Sequence, residues 1–281
     1  MKENLSHVID SHQHFWVYNE MKDAWITDEM KVIQRSFLPK DLQPVLQENK
    51  VGGCVAVQAS QSEEETNFLL ELAGENDFIK GVVGWVDLKD KNIEERLIYF
   101  SKEKKLSGFR HILQGEDVEE YLSNKDFLHG ISLLGKYNYT YDILVYHRQL
   151  KYVDDFVRRF PNQRFVLDHL AKPDIKGHTI SDWEKEITLI AKNENISCKI
   201  SGMVTEADWE NWDEKDFYPY IDVVMRNFGT DRVLFGSDWP VCLLGITYQK
   251  WLSVLNTYFT NYSSTEKENF FGKNAMKFYD L

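Results

Sequence analysis

Eight short, apolar, β-compatible segments recur along the 281-residue chain, and nearly every one is followed by a stretch of helical character. This alternation limits the chain to very few architectures, because alternating strands and helices build a parallel sheet covered by helices. The segments fall at residues 8–15, 52–58, 81–86, 106–112, 141–146, 164–170, 196–201 and 232–238. Helices are expected at about 40–48, from the Ser62–Glu65 capping box onward, at 92–103, 118–137 and 151–160, after a second capping box at Ser181 and Glu184, and at 216–227, 248–259 and 264–279. Eight such units point to a (β/α)8 barrel, a single domain over residues 1–281. A doubly wound open sheet is the competing topology, but it would place a glycine-rich phosphate loop after the first strand. Ser11-His12-Gln13-His14 stands there instead.

Composition narrows the function classes. With 43% hydrophobic residues the chain can bury a large core. A net charge of −12 without any Lys/Arg-rich run argues against nucleic acid as a partner. Cys54, Cys198 and Cys242 are far apart and form no CxxC pattern, as expected of a reduced, cytoplasmic protein. No apolar run reaches the ~18 residues of a membrane span, and the N-terminal MKENLSHVID has no apolar signal core. No membrane partner is therefore expected, and a homo-oligomer is left open.

Barrel enzymes carry their chemistry at the C-terminal ends of the strands. The polar residues expected there are His12 and His14, Gln58, Trp85 or Asp87, Arg110 and His111, His147, His169, Ser201, and Asp238. Of the eight histidines, only His7, His129 and His178 lie elsewhere, a sorting that core histidines scattered at random would not give. Strand alternation puts Asp10, His12 and His14 on one face, with the two imidazoles roughly 7 Å apart at ~3.4 Å per residue. The same alternation separates Arg110 from His111, so one of the two is expected to face the pocket.

These residues sit in a series of motifs that resembles the amidohydrolase superfamily, and within it the sugar-lactonase branch of L-fuconolactonases and L-rhamnonolactonases. The resemblance runs nearly end to end. It rests on Ile9-Asp10-Ser11-His12-Gln13-His14-Phe15-Trp16, the run from Gly81 to Leu88, Gly108-Phe109-Arg110-His111, Leu167-Asp168-His169-Leu170-Ala171-Lys172-Pro173, Cys198-Lys199-Ile200-Ser201-Gly202 and Gly236-Ser237-Asp238-Trp239-Pro240. It implies a reaction centre made of His12, His14, His169 and Asp238. The fourth strand carries Phe109-Arg110-His111 where many relatives have a metal-bridging lysine or glutamate, which argues against two metals.

Ester hydrolysis needs an activated water, a polarised carbonyl and a proton for the leaving alkoxide. Asp238 is expected to exchange that proton, and His12, His14, His169 and Asp238 to hold one divalent ion, zinc preferred, with an open position for water. A metal-free centre whose imidazoles donate directly to the carbonyl is the alternative. Arg110, His111, His147, Gln58, Trp25 and Trp239 are the expected substrate-binding residues. Packing or ion pairing remains open for several of them, and Asp10 and Asp168 are read as orienting or structural groups. The resulting expectation is a hydrolase that opens a small sugar-derived lactone to the aldonic acid. A pyrone-dicarboxylate-type lactonase or decarboxylase would need more basic residues at the strand ends. A non-catalytic sugar-acid-binding barrel would not need Asp238 and the paired histidines. No GxSxG elbow supports a serine hydrolase.

Overall fold

The computed structural model describes residues 7–281; the first six residues, part of the segment read as lacking a signal core, lie outside it. One parallel sheet holds β1 (Ile9–Gln13), β2 (Gly53–Val57), β3 (Ile79–Gly84), β4 (Leu106–Ile112), β5 (Thr140–Leu144), β6 (Phe165–Leu167), β7 (Ile196–Ile200) and β8 (Val233–Phe235), each paired with the next in chain order. The seam between β8 and β1 is joined by other bonds. Ser11 Oγ donates to the Phe235 carbonyl at 2.6 Å, Asp238 N to the His12 carbonyl at 2.8 Å and His14 N to the Trp239 carbonyl at 2.7 Å. The cylinder is thus the (β/α)8 barrel expected from the alternation.

The helices are α1 (Pro39–Glu48), α2 (Glu63–Glu75), α3 (Ile93–Phe100), α4 (Val118–Ser123), α5 (Lys125–Leu134), α6 (Val153–Arg158), α7 (Ser181–Ile190), α8 (Glu214–Phe228), α9 (Tyr248–Tyr258), α10 (Ser264–Glu268) and α11 (Asn274–Tyr279). In α8, Asp213 caps the Lys215 N–H while Asp216 reaches back to the Asp213 N–H. Its Phe217, Tyr220, Ile221, Val224 and Phe228 recur at helical spacing and are buried. Burial of each such side chain contributes about 1.5–3 kcal/mol relative to exposure.

Three local expectations change. The helix expected over 118–137 breaks at Asn124, whose extended backbone ends α4 and whose side chain caps α5 through the N–H groups of Asp126 and Phe127. Ser62 does cap α2 by accepting from Glu65 N at 3.1 Å, but Ser181 is the first residue of α7 and makes no cap bond. A one-residue register shift between Asp10 and Gln13 also breaks the alternation of β1. A bulge of this kind re-aims the side chains that follow it. Asp10 therefore faces outward, accepting from Tyr248 of α9 at 3.1 Å, and does not share a face with His12.

The bore is apolar at its lower end, where Ile9, Val55, Val83, Val166 and Leu234 meet Ala275, Phe278 and Tyr279 of α11. It turns polar upward, toward the strand ends. At Gly108 the wall is tight: a Cβ there would lie 2.1 Å from Thr140 Oγ1 and 2.7 Å from the Thr140 carbonyl oxygen. Gly108→Ala should therefore shift β4 from β5 and cost about 1–3 kcal/mol, read as a lowered denaturant midpoint; an unchanged midpoint would contradict this packing.

Candidate active site

His12 and His14 leave the end of β1, His169 the end of β6 and Asp238 the end of β8, and all four are buried. The three imidazoles converge on one carboxylate oxygen. Asp238 Oδ1 lies 3.3 Å from His14 Nε2 and 3.9 Å from the Nε2 atoms of both His12 and His169. Two of these side chains are positioned by left-handed backbone, with φ of +53° at His169 and +58° at Asp238. Gly202 makes room for them: a Cβ there would lie 2.5 Å from His169 Nδ1 and 3.0 Å from Asp238 Oδ2. Asp10 secures the turn from outside the bore by accepting from the His12 N–H at 3.1 Å, the Ser237 N–H at 2.9 Å and the Ser237 hydroxyl.

Hydrogen bonding sets the state of each ring. His14 Nδ1 donates to the Val57 carbonyl at 2.8 Å, so a neutral His14 ring would turn its Nε2 lone pair to Asp238. Two acceptor atoms 3.3 Å apart need a proton or a cation between them. His12 Nε2 lies 3.2 Å from Arg110 Nη1, which can only donate, and its Nδ1 lies 3.3 Å from Asp168 Oδ1. The proton of His12 is therefore on Nδ1, toward Asp168. Lys199 Nζ, also only a donor, lies 3.0 Å from that nitrogen, but its charge is held by the carboxylates of Asp142 at 2.6 Å and Asp168 at 2.9 Å. His169 Nδ1 pairs with the Ser201 hydroxyl at 2.8 Å.

Burial holds the His169 imidazole down at about 4, only partly opposed by the Asp238 and Asp168 carboxylates. His12 is likewise pushed well below its ordinary value, by burial first. Burial alone would raise Asp238, yet His169, His14 and His12 together hold its carboxyl well below the usual carboxylate range. At neutral pH the centre therefore offers an ionised carboxylate flanked by neutral His12 and His169 rings.

A cavity of about 480 Å³ opens above this centre, lined by His14, His169 and Asp238 together with Arg110, Trp25 and Lys172. Arg110 and Trp25 thus line it as expected, although Arg110 is largely committed to Asp168 at 3.0 Å and to Gln58. The other expected substrate-binding residues are not among its lining. His111 faces away from the bore, stacked on Tyr121 at 4.6 Å, accepting from Trp85 Nε1 at 3.1 Å and pairing with Glu116. The His147 ring is turned to the Lys172 carbonyl at 2.8 Å. Gln58 is buried behind Arg110, and Trp239 packs edge-on against Phe37 at 5.1 Å.

Residue by residue, the reading of the strand ends missed what lies beneath them. Lys199 and Asp142 are fully buried in the bore beside Asp168, which was expected as an orienting or structural group, and Tyr279 of α11 donates to Asp142 Oδ2 at 2.7 Å. The available signal was the strand period, because Lys199 shares a parity with the inward-facing positions of β7.

The comparisons with known proteins fit this geometry. The amidohydrolase family matches residues 9–281. This chain belongs to the amidohydrolase family. An L-fucono-1,5-lactonase of Burkholderia multivorans is 38% identical over 97% of this chain and 96% of its own. A second L-fucono-1,5-lactonase, from Burkholderia ambifaria, is 33% identical over 97% of this chain and 95% of its own. The crystal structure of a Burkholderia multivorans amidohydrolase with bound zinc superposes with a TM-score of 0.95 at 38% identity, covering 98% of this chain and 99% of the other.

A divalent ion suits the donor set of this amidohydrolase. His12, His14 and Asp238 present ligand atoms that all lie within 4.8 Å of one another. A second trio, His12, Asp168 and His169, is equally close, but its carboxylate is already neutralised by Lys199 and Arg110. Across the centre and the bore, two cations (Arg110 and Lys199) face three carboxylates (Asp142, Asp168 and Asp238), so one negative charge awaits a positive partner. Breaking the buried ion set should be costly, since it strands charge away from water. Lys199→Met should lower stability by about 3–5 kcal/mol, measured by chemical denaturation; a loss below about 1 kcal/mol would show that Asp142 and Asp168 do not depend on it.

Proposed function

We propose that this amidohydrolase opens a sugar-derived lactone of the L-fucono- or L-rhamnonolactone type to its aldonic acid. The observation that carries the reading is the convergence of His12, His14 and His169 on Asp238 Oδ1 at the floor of a cavity. The two Burkholderia L-fucono-1,5-lactonases, matched over almost their whole length, support the substrate class. The apolar side of the cavity, with Trp16, Trp25, Met30 and Leu244, suits the C–H face and methyl group of a deoxy sugar.

In this mechanism water attacks the lactone carbonyl while Asp238, ionised and held among imidazoles, takes its proton. The tetrahedral adduct then collapses, the bond from the carbonyl carbon to the ring oxygen breaks, and Asp238 returns the proton to the departing alkoxide. Arg110 and the His169 ring stand beside the site where negative charge develops on the carbonyl oxygen. One zinc ion per chain, held by His14, Asp238 and His12, would polarise the carbonyl and lower the pKa of a bound water. Arg110 of β4 already contacts His12 Nε2, and β4 carries no lysine or glutamate that would bridge a second ion.

A panel of aldonolactones followed with a pH indicator tests the reading. L-Fucono-1,5-lactone should release acid rapidly with the wild-type protein, and Asp238→Asn should lose at least about 10³-fold in kcat while keeping its fold. No acid release from any lactone would overturn the assignment, and near-normal turnover by the variant would remove Asp238 as the base.

The pH profile follows from the same residues. Because His169 titrates at about 4 in the fold, against 6.5 for an unperturbed ring, and Asp238 lies lower than its ordinary value, kcat/KM should stay level from neutral pH down to about 5 and fall below that. The unfolded chain binds the His169 proton more readily, so stability should also fall as pH drops from 6.5 toward 4. An acid limb centred near 6.5 would contradict the buried neutral imidazole.

A further inference from the structure

Away from the reacting atoms, the rim of the same cavity carries polar groups that the hydrolytic steps leave unused. Lys172 follows three other residues with left-handed backbone, His169, Leu170 and Ala171, and its own φ is +51°. The His147 ring ties down its carbonyl. This geometry sends the Lys172 ammonium to Glu206 Oε1 at 2.7 Å and to the Thr205 hydroxyl at 3.5 Å. Its third N–H bond and Glu206 Oε2 find no protein partner among the described residues. Gln114, in the turn after β4, contributes an amide nitrogen that is buried and without a hydrogen-bond partner, although it belongs to the cavity lining.

Lys172, Glu206 and Gln114 come from the ends of three different strands, and all line the cavity that holds Asp238. Two unused donors and one unused acceptor around a pocket of this size match the hydroxyl groups of a polyol, each of which both donates and accepts. A plain aliphatic lactone would leave all three unsatisfied. A site built to bond hydroxyls rejects the analogue that lacks them far more strongly than a methylene-sized difference would allow. Resting on the lactonase reading above, we infer that Lys172, Glu206 and Gln114 form the hydroxyl-reading rim of the site and set its preference for polyhydroxylated lactones over unsubstituted ones.

The test compares kcat/KM for L-fucono-1,5-lactone and for δ-valerolactone in the wild type, Lys172→Met, Glu206→Gln and Gln114→Leu. Glu206→Gln and Gln114→Leu preserve side-chain size, so the comparison survives if Lys172→Met fails to fold. The selectivity ratio should fall by about tenfold or more in the Lys172 and Glu206 variants and by a smaller factor in Gln114→Leu. Equal losses on both lactones would indicate a purely structural role and overturn the inference, as would a ratio within about twofold of wild type. Binding of L-fuconate against hexanoate, measured by calorimetry, reads the rim without turnover. The wild type should prefer L-fuconate by about tenfold or more, and the variants should lose that preference. A wild type that opens no lactone but shows this preference would defeat the lactonase reading and leave the rim standing. Lactone opening without either selectivity would defeat the rim alone.

Discussion

An ammonium group with no access to water sits inside the barrel. Lys199 Nζ is held between Asp142 at 2.6 Å and Asp168 at 2.9 Å, with all three side chains fully buried. Moving such ions from water to an apolar interior costs several kcal/mol each, so they persist only where each is paired. Here the pairing is extended at both ends. Tyr279 donates to Asp142 from below, while Arg110 donates to Asp168 from above and is itself fixed by the Gln58 side chain. Burial nevertheless pushes the Asp142 carboxyl up to about 6, against the pull of Lys199. The arrangement links the closing helix α11 to the floor of the site through side chains alone.

The upper end of this ladder sets the state of His12. Asp168 faces its Nδ1 and Arg110 its Nε2, so neither nitrogen is free to choose its proton. On the other side of the centre, left-handed backbone at His169 and Asp238 aims their side chains inward, with Gly202 giving way to both. Such backbone persists where surrounding bonds over-determine it. Here those bonds are the Asp10 contacts to Ser237 and the Ser201 contact to His169. Bore and rim thus divide the work: charges below fix protonation, and loops above shape the cavity.

The barrel was legible because strand and helix periods are written into short windows of sequence. The strand ends also carried His12, His14, His169 and Asp238, and the structure brings those four together. What local pattern could not carry was direction after an irregularity. The bulge in β1 turns His12 off the face of Asp10, and Asn124 divides one apparent helix into α4 and α5. Strand parity separated Arg110 from His111 but could not say which pointed into the bore; packing against Tyr121 takes His111 outward. His147, Gln58 and Trp239 stand at strand ends too, yet their partners (the Lys172 carbonyl, Arg110 of β4 and Phe37) are distant in sequence, so their exclusion from the cavity lining is a tertiary outcome. Lys199 was hidden for the opposite reason. A lone lysine in a strand usually faces water, and only the charges of Asp142 and Asp168 across the bore make its burial tolerable.

The tautomer of His12 is the most direct measure of whether the buried charges govern the site. Nitrogen-15 NMR of histidine-labelled protein, freed of metal and held at neutral pH, reads it without any substrate. The account requires a His12 ring that is neutral, with its proton on Nδ1 and a bare Nε2. A ring protonated on Nε2, or on both nitrogens, would mean that Asp168, Lys199 and Arg110 do not control the centre as described.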